Sequence, residues 1–245
     1  NVFARLIQIG GHAIAGTGIL FILARRLDLV AAILSAAIFT LWTFHGQATL
    51  WYAAQIYPFG AAFSVWGVIA ILESQKRNSW TLGILGILAL ICSVLSNQVV
   101  APLGLLVYLL LLALRWVQRQ FQLKSAVRET AWILTGLIIG GVISLTLMKI
   151  KGNDRLYDTT LLERFTFIGK QAGLYFFFPK FYPLYLKLLH ILMLGTVLGS
   201  LIYRFVRSGK ASLRSLIFIP VILAMPLGAL AAVLLSGSLF PSFRI

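Results

Sequence analysis

The feature that most constrains this chain is a series of long apolar stretches, separated by polar connections of which every second one is basic. Apolar residues make up 60% of the 245 residues and charged residues only 11%, whereas soluble domains carry about 25% charged residues. Stretches of roughly 18 or more apolar residues are long enough to cross about 30 Å of hydrocarbon. The sequence therefore predicts an all-α protein, a polytopic helical bundle in the membrane.

The apolar stretches predict about eight transmembrane helices, which we assign to a single transmembrane domain covering residues 1–245. The predicted spans are residues 6–24, 29–44, 52–72, 80–95, 99–114, 130–148, 186–203 and 216–235. The chain starts at Asn1 without a basic region or a cleavage site of the kind found in a signal peptide. We expect it to be an internal piece of a longer protein.

The basic connections predict the orientation, because Lys and Arg accumulate in cytoplasmic loops. Basic residues follow the first, third, fifth and seventh spans: Arg25, Arg26, Lys76, Arg77, Arg115, Arg119, Lys124, Arg128, Arg204, Arg207, Lys210 and Arg214. The connections at 45–52 and 96–98 contain no Lys or Arg. The sequence thus predicts a multi-pass protein of the cell membrane whose first residues lie outside. This pattern explains the net charge of +15, and we predict no nucleic-acid partner.

The acidic residues argue against an ion-coupled carrier, which usually needs a carboxylate near the middle of the membrane. Asp28, Glu73 and Glu129 instead lie at the cytoplasmic ends of predicted spans. No cluster of His, Cys and Asp has metal-ligand spacing, and no phosphate-binding glycine motif appears. We predict no metal site and assign no cofactor from the sequence. A divalent metal ion stays open as a cofactor.

The long outer connection after the sixth span is basic and aromatic, and it admits two interpretations. It contains Lys149, Lys151, Arg155, Tyr157 and Asp158. Alternating acids and bases are typical of a solvated, salt-bridged surface. The same residues could form a cleft for an anion, and phosphate is the natural candidate because Arg gives bidentate hydrogen bonds to its oxygens.

Two further sequence features each have a structural and a functional interpretation. His45 and Gln47 follow the second span, where they either cap a helix or bind the hydroxyl groups of a sugar. Gly136 and Gly140 have the GxxxG spacing that allows close approach of two membrane helices. For the glycines we predict packing.

Several short motifs resemble one enzyme class. Arg5 precedes a span that opens Leu-Ile-Gln-Ile-Gly-Gly, and Gln55-Ile-Tyr57-Pro58 opens the third span. The last residues read Leu-Phe-Pro-Ser-Phe-Arg244-Ile. This arrangement resembles the GT-C class of glycosyltransferases, which includes the protein mannosyltransferases and the lipid A aminoarabinose transferase. It is also similar to the phage-type O-antigen glucosyltransferases.

The resemblance implies a polyprenyl-phosphate-linked sugar as donor and a glycan, lipid or protein as acceptor, with membrane lipids around the enzyme. The catalytic carboxylate of the class lies in the first outer loop, which would precede Asn1, so the catalytic residue is unassigned. The candidates for binding the donor phosphate are Arg5, Lys149, Lys151, Arg155 and Arg244. The candidates for contact with sugar or lipid are His45, Gln47, Tyr52, Tyr57, Tyr157 and Asp158.

Three other functions stay open at this point. An O-antigen polymerase or ligase would also use outer Arg and His residues. A transporter or flippase would show inverted repeats and polar groups near the middle of the membrane. A membrane scaffold without catalysis would need neither the outer Arg and His residues nor the repeats and polar groups.

Overall fold

The computed structural model describes residues 2–41, 57–96 and 100–150, together with isolated positions between 162 and 217. Six helices cover the three continuous ranges, and no strand occurs within them. The helices are α1 (Val2–Leu23), α2 (Leu29–Leu41), α3 (Tyr57–Arg77), α4 (Trp80–Ser96), α5 (Leu103–Val117) and α6 (Leu123–Ile150). The predicted all-α class is confirmed, while the seventh and eighth predicted spans lie outside the described ranges.

The chain divides into two compact units. The first comprises residues 1–114 and 121–153, and the second comprises residues 115–120 and 154–245. The following description concerns the first unit, which contains all of α1 to α4 and α6. The assignment of the whole chain to a single transmembrane domain stays a prediction.

Helix α3 is the central element of the first unit, and α1 runs parallel to it. Gly11 packs against Pro58, and seven residues further along Gly18 packs against Val65. The Trp66 indole donates a hydrogen bond of 2.9 Å to the carbonyl of Ile14. Glycine allows the close approach of α1, because a Cβ atom at Gly18 would lie 2.7 Å from Val65 Cγ1.

Helix α4 runs antiparallel to α3, and α6 then runs parallel to α4. A Cβ atom at Gly67 would meet the carbonyl oxygen of Gly86 at 3.0 Å. Along the second contact, Gly136 faces Leu90 and the next glycine of the GxxxG pair, Gly140, faces Val94. The GxxxG spacing in α6 therefore brings α6 against α4, as the sequence predicts.

The alternating directions give the first unit two ends, which we name here. The basic end is where α3 finishes and α4 and α6 begin, and it carries Arg25, Arg77 and Lys124. The distal end is where α1 and α3 begin and where α4 and α6 finish. An ion pair between Arg25, in the turn after α1, and Glu73 of α3 lies at the basic end.

The turn between α3 and α4 is formed by two polar residues at the basic end. Asn78 adopts a left-handed conformation with φ of 52°, and the amide of Ser79 donates to the carbonyl of Ser74 at 2.9 Å. This is the Schellman pattern of a helix C-terminus, in which Asn is tolerated at the left-handed position. The amide of Leu82 donates to the Ser79 hydroxyl at 3.5 Å, so Ser79 caps α4.

Several helix ends differ from the predicted spans; α1, for example, begins at Val2 instead of residue 6, and α5 ends at Val117 instead of residue 114. The third span was expected to end at residue 72, but α3 continues to Arg77; the sixth was expected to begin at residue 130, but α6 begins at Leu123. Lys124 and Arg128 consequently lie on a helix instead of in a loop. The fifth begins at Leu103, after a turn at Val100 to Pro102, instead of at residue 99. Hydropathy marks the apolar part of a helix, whereas capping residues decide where its hydrogen bonds stop.

The core of the first unit consists of apolar side chains from all six described helices. One cluster joins α1, α2, α3 and α5, and a second joins α3, α4, α5 and α6. The buried members of the two clusters are Ile19, Ile22, Leu23, Ala32, Ala36, Val65, Ile69, Val107, Leu111, Val68, Ile71, Leu90, Tyr108 and Ile133. Helix α3 contributes to both clusters, which explains its central position.

Two helices in the described ranges are long and apolar enough to cross a membrane. Their apolar windows are Leu6–Leu23 in α1, with 18 residues, and Leu123–Leu147 in α6, with 25 residues. Helices α4 and α5 are apolar but shorter. Most of the α6 window is exposed, including Ile138 and Val142, and apolar exposure of this kind is expected of a helix that faces lipid tails.

Candidate functional site

Three of the residues that the sequence singles out lie in described helices, and all three lie at the distal end. Arg5 is in the first turn of α1, Tyr57 is the first residue of α3, and Lys149 is in the last turn of α6. The Lys149 side chain is exposed. The remaining candidates lie outside the described residues: His45, Gln47, Tyr52, Lys151, Arg155, Tyr157, Asp158 and Arg244.

Helix α1 places a buried polar pair beside Arg5. Gln8 is 2% exposed and His12 is 7% exposed. The spacing of Arg5, Gln8 and His12 is i, i+3 and i+7, so the three positions share one helical face. This face is therefore polar at the distal end of α1, although the helix is apolar overall.

The partner of this face is the start of α3, which is built from small residues. Ala15 of α1 packs with Ala61 and Ala62 of α3 and with Val100 in a buried cluster. A Cβ atom at Gly11 would lie 3.1 Å from Pro58 Cβ. Small side chains let the two backbones approach closely, and this fixes the position of Gln8 and His12 along α3.

Two buried serines connect α3 to its other neighbours in the distal half. The Ser64 hydroxyl donates to the carbonyl of Ala101 at 2.6 Å and accepts from the amide of Gly104 at 2.7 Å. The Ser93 hydroxyl donates to the carbonyl of Gly60 at 2.6 Å. Both serines are fully buried, and each satisfies a backbone group that would be costly to bury unpaired.

Acidic and basic residues are distributed unevenly between the two ends of the first unit. Its described acids, Asp28, Glu73 and Glu129, lie toward the basic end, where Glu73 binds both Arg25 and Arg77. At the distal end, the Lys149 side chain is exposed, and Arg5 occupies a position in the first turn of α1. That end therefore carries positive charge without a described carboxylate to offset it, which favours an anionic ligand.

The described residues contain no group of three or more His, Cys, Asp or Glu side chains able to hold a metal ion. The arrangement at the distal end supplies cationic groups and hydrogen-bonding side chains. The cation of Lys149 lies there beside the exposed apolar residues of α6.

The sequence places His12 inside an apolar span, where internal hydrogen bonding is expected, but Gln8 and the face that it shares with His12 were not identified. Their four-residue spacing within an otherwise apolar span, on either side of Gly10 and Gly11, was a signal that could have revealed a polar face. Burial of both residues depends on the approach of α3, which the spacing alone does not specify.

Comparison with known proteins identified no relative: no protein-family model, no characterised protein and no solved structure matches the chain. The resemblance to the GT-C class stays an expectation from the sequence motifs around Arg5, Tyr57 and Arg244.

Proposed function

We propose that this protein is a multi-pass membrane glycosyltransferase of the GT-C type, which moves a sugar from a polyprenyl-phosphate donor to an acceptor on the extracytoplasmic side. The observation that carries the proposal is the division of charge in the first unit. Arg5 and Lys149 lie at the end of the first unit opposite to the described acids of that unit, on the two described helices that are long enough to cross a membrane.

The donor's chemistry fits this end of the molecule. Its phosphate becomes the leaving group, so negative charge increases on the phosphate oxygens as the bond to the sugar breaks. Cations held at fixed positions stabilise that charge more in the transition state than in the ground state, and such differential binding raises the rate. Lys149 is a described side chain able to act in this way, and Arg5 holds a backbone position at the same end.

The donor's lipid tail also finds a suitable surface. The exposed residues Ile138, Val142 and Ile150 lie along α6 on the approach to Lys149 and beyond it, and Ile150 is 75% exposed. A polyprenyl chain lying in the membrane beside this helix would bring its phosphate to the level of Lys149. The same surface explains why the donor would enter from the lipid rather than from water.

The test uses two lysines on α6 that differ mainly in position. Lys149 and Lys124 are both exposed, and they lie at opposite ends of this helix. In the full-length protein, reconstituted in phosphatidylcholine vesicles with a radiolabelled polyprenyl-phosphate sugar, Lys149→Gln should lower transfer efficiency about tenfold or more, since a charge-assisted hydrogen bond contributes roughly 1.5–3 kcal/mol. Lys124→Gln should transfer at the rate of the unsubstituted protein.

The measured products separate the competing functions. Transfer of one sugar to an acceptor supports the proposal, whereas joining of glycan chains would indicate a polymerase or ligase. Passage of the labelled donor across the bilayer without transfer would indicate a flippase. Equal losses from Lys149→Gln and Lys124→Gln would refute a phosphate site at the distal end.

A further inference from the structure

The basic end carries a surface whose chemistry differs from that of the distal end. Trp80, at the start of α4, is 74% exposed, and its ring meets that of Trp132 of α6 with centroids 5.5 Å apart and planes tilted by 60°. Trp132 lies over Gly83, where a Cβ atom would come within 2.3 Å of the ring. The glycine thus lets the indole of Trp132 approach the backbone of α4 closely, next to Trp80.

Cations flank this aromatic pair. Arg128 precedes Trp132 by one turn of α6, and Lys76 lies in the last turn of α3, directly before the hairpin that leads to Trp80. Both side chains are exposed, and neither forms an ion pair with another residue of the described ranges. The nearby carboxylate of Glu73 is already bound by two arginines.

An apolar stripe leads away from the pair along α4. Trp80, Ile84 and Leu88 follow one another at four-residue intervals, and Ile84 and Leu88 are 52% and 50% exposed. Along this surface, cationic side chains are therefore followed by the two indole rings and then by aliphatic side chains. Indole rings prefer the interfacial layer of a membrane, with headgroups on one side and hydrocarbon on the other.

We infer that Lys76, Arg128, Trp80 and Trp132 form a binding surface for anionic phospholipid at the basic end. The lipid phosphate contacts Lys76 and Arg128, the glycerol region lies against the two indoles, and an acyl chain follows Ile84 and Leu88. The match of positive side chains to a negative headgroup selects anionic over zwitterionic lipids, because only the former have net charge to pair. This inference is independent of the glycosyltransferase proposal, which concerns the other end of the unit.

Native mass spectrometry of the full-length protein in detergent tests the inference, with phosphatidylglycerol titrated against phosphatidylcholine. The unsubstituted protein should bind phosphatidylglycerol more tightly. Each cation near an anionic lipid surface contributes roughly a fivefold increase in affinity, so the double variant Lys76→Gln with Arg128→Gln should lose on the order of 25-fold in preference. The charge-conserving pair Lys76→Arg with Arg128→Lys should keep it.

The inference would be overturned if the unsubstituted protein showed no preference for phosphatidylglycerol, or if the neutral double variant kept that preference. It would also be overturned if Lys149→Gln abolished the preference, because the lipid would then lie at the distal end. The neutral variant should melt at the temperature of the unsubstituted protein in phosphatidylcholine micelles. If it does not fold, the salt dependence of the unsubstituted protein gives the answer, because raising ionic strength from about 0.05 M to about 0.5 M should weaken its preference by screening. A preference unchanged by salt would contradict charge pairing.

Discussion

Two adjacent glycines in α6 have different surroundings. A Cβ atom at Gly140 would lie 2.9 Å from Val94 Cβ and 3.2 Å from Ile91 Cα, whereas no described atom lies within 4 Å of a Cβ atom at Gly141. Gly140 is therefore needed for the contact between α6 and α4. Gly141 has no such role among the described residues.

This difference predicts opposite effects of one substitution. Gly140→Ala should destabilise the full-length protein by about 1–3 kcal/mol, because the added methyl group must displace packed atoms of α4. Gly141→Ala should leave stability unchanged or raise it by up to about 1 kcal/mol, since Ala favours the helix over Gly. Thermal unfolding in detergent, followed by circular dichroism, measures both. Equal destabilisation by the two variants would contradict the packing of α6 on α4.

Regular spacing identified one glycine contact but not another: Gly195 and Gly199 have the same GxxxG spacing, yet no described atom lies within 4 Å of a Cβ atom at either. The pair Gly136 and Gly140 was identified from its spacing, although the partner helix was not. Gly104 was not identified, yet a Cβ atom there would lie 2.3 Å from the carbonyl oxygen of Ser64. An isolated glycine carries no signal in a sequence, since its contact arises only when α5 meets α3.

At the scale of whole elements, the order and type of the helices could be predicted but their ends could not. The apolar composition of each span indicated a helix in every described case. Hydropathy falls at Glu73, and the sequence prediction stopped α3 there. The structure continues α3 to Arg77 because Asn78 can adopt the left-handed conformation that closes the helix.

The extension of α3 positions Glu73 to connect two helices. Its carboxylate accepts hydrogen bonds from Arg25, in the turn that follows α1, and, at 3.3 Å, from Nε of Arg77 in the next turn of α3. Arg25 also lies over the Phe21 ring, 4.0 Å from its centroid. The hydrogen bond from Arg25 is the main cause that lowers the pKa of Glu73, with further contributions from the charges of Arg25 and Lys76, while burial acts in the opposite direction.

The lowered pKa predicts a loss of stability in acid. Ionised Glu73 stabilises the folded state, and this contribution is complete above the ordinary carboxyl value of 4.5. It is lost as the pH falls through the lowered pKa of the folded protein, where the carboxylate becomes protonated. Glu73→Gln should therefore unfold at lower temperature than the unsubstituted protein at neutral pH. The difference between the two should shrink as the pH falls below about 4.5, as melting curves across a pH series would show.

Arg25 and Arg77 provide the matched comparison for this prediction. Arg25→Gln removes the bond between helices and should cost about 1.5–3 kcal/mol, the range for hydrogen bonds to charged groups. Arg77→Gln removes a pair within one helix whose arginine is 69% exposed, and exposed pairs of this spacing contribute about 0.3–0.5 kcal/mol. Equal losses from the two variants would show that Glu73 does not connect α1 to α3.

At the scale of the whole molecule, the candidate site follows from the direction of the helices. Arg5, Tyr57 and Lys149 are far apart in sequence, but helices that alternate in direction bring the starts of α1 and α3 and the end of α6 to one end. The alternation could be predicted from the basic connections. The burial of Gln8 and His12 could not, because it depends on how closely α1 approaches α3.

The final prediction concerns the position of these two ends across the membrane. Gln122 and Ile150 are exposed residues at the two ends of α6, and each can be replaced by cysteine in a background where the single cysteine, Cys92, is changed to Ser. Because basic connections stay in the cytoplasm, an impermeant thiol reagent should label Ile150→Cys in intact cells and Gln122→Cys only after permeabilisation. Labelling of both in intact cells would show that α6 does not cross the membrane. Labelling of Gln122→Cys alone would place Lys149 in the cytoplasm, where the extracytoplasmic donor could not reach it.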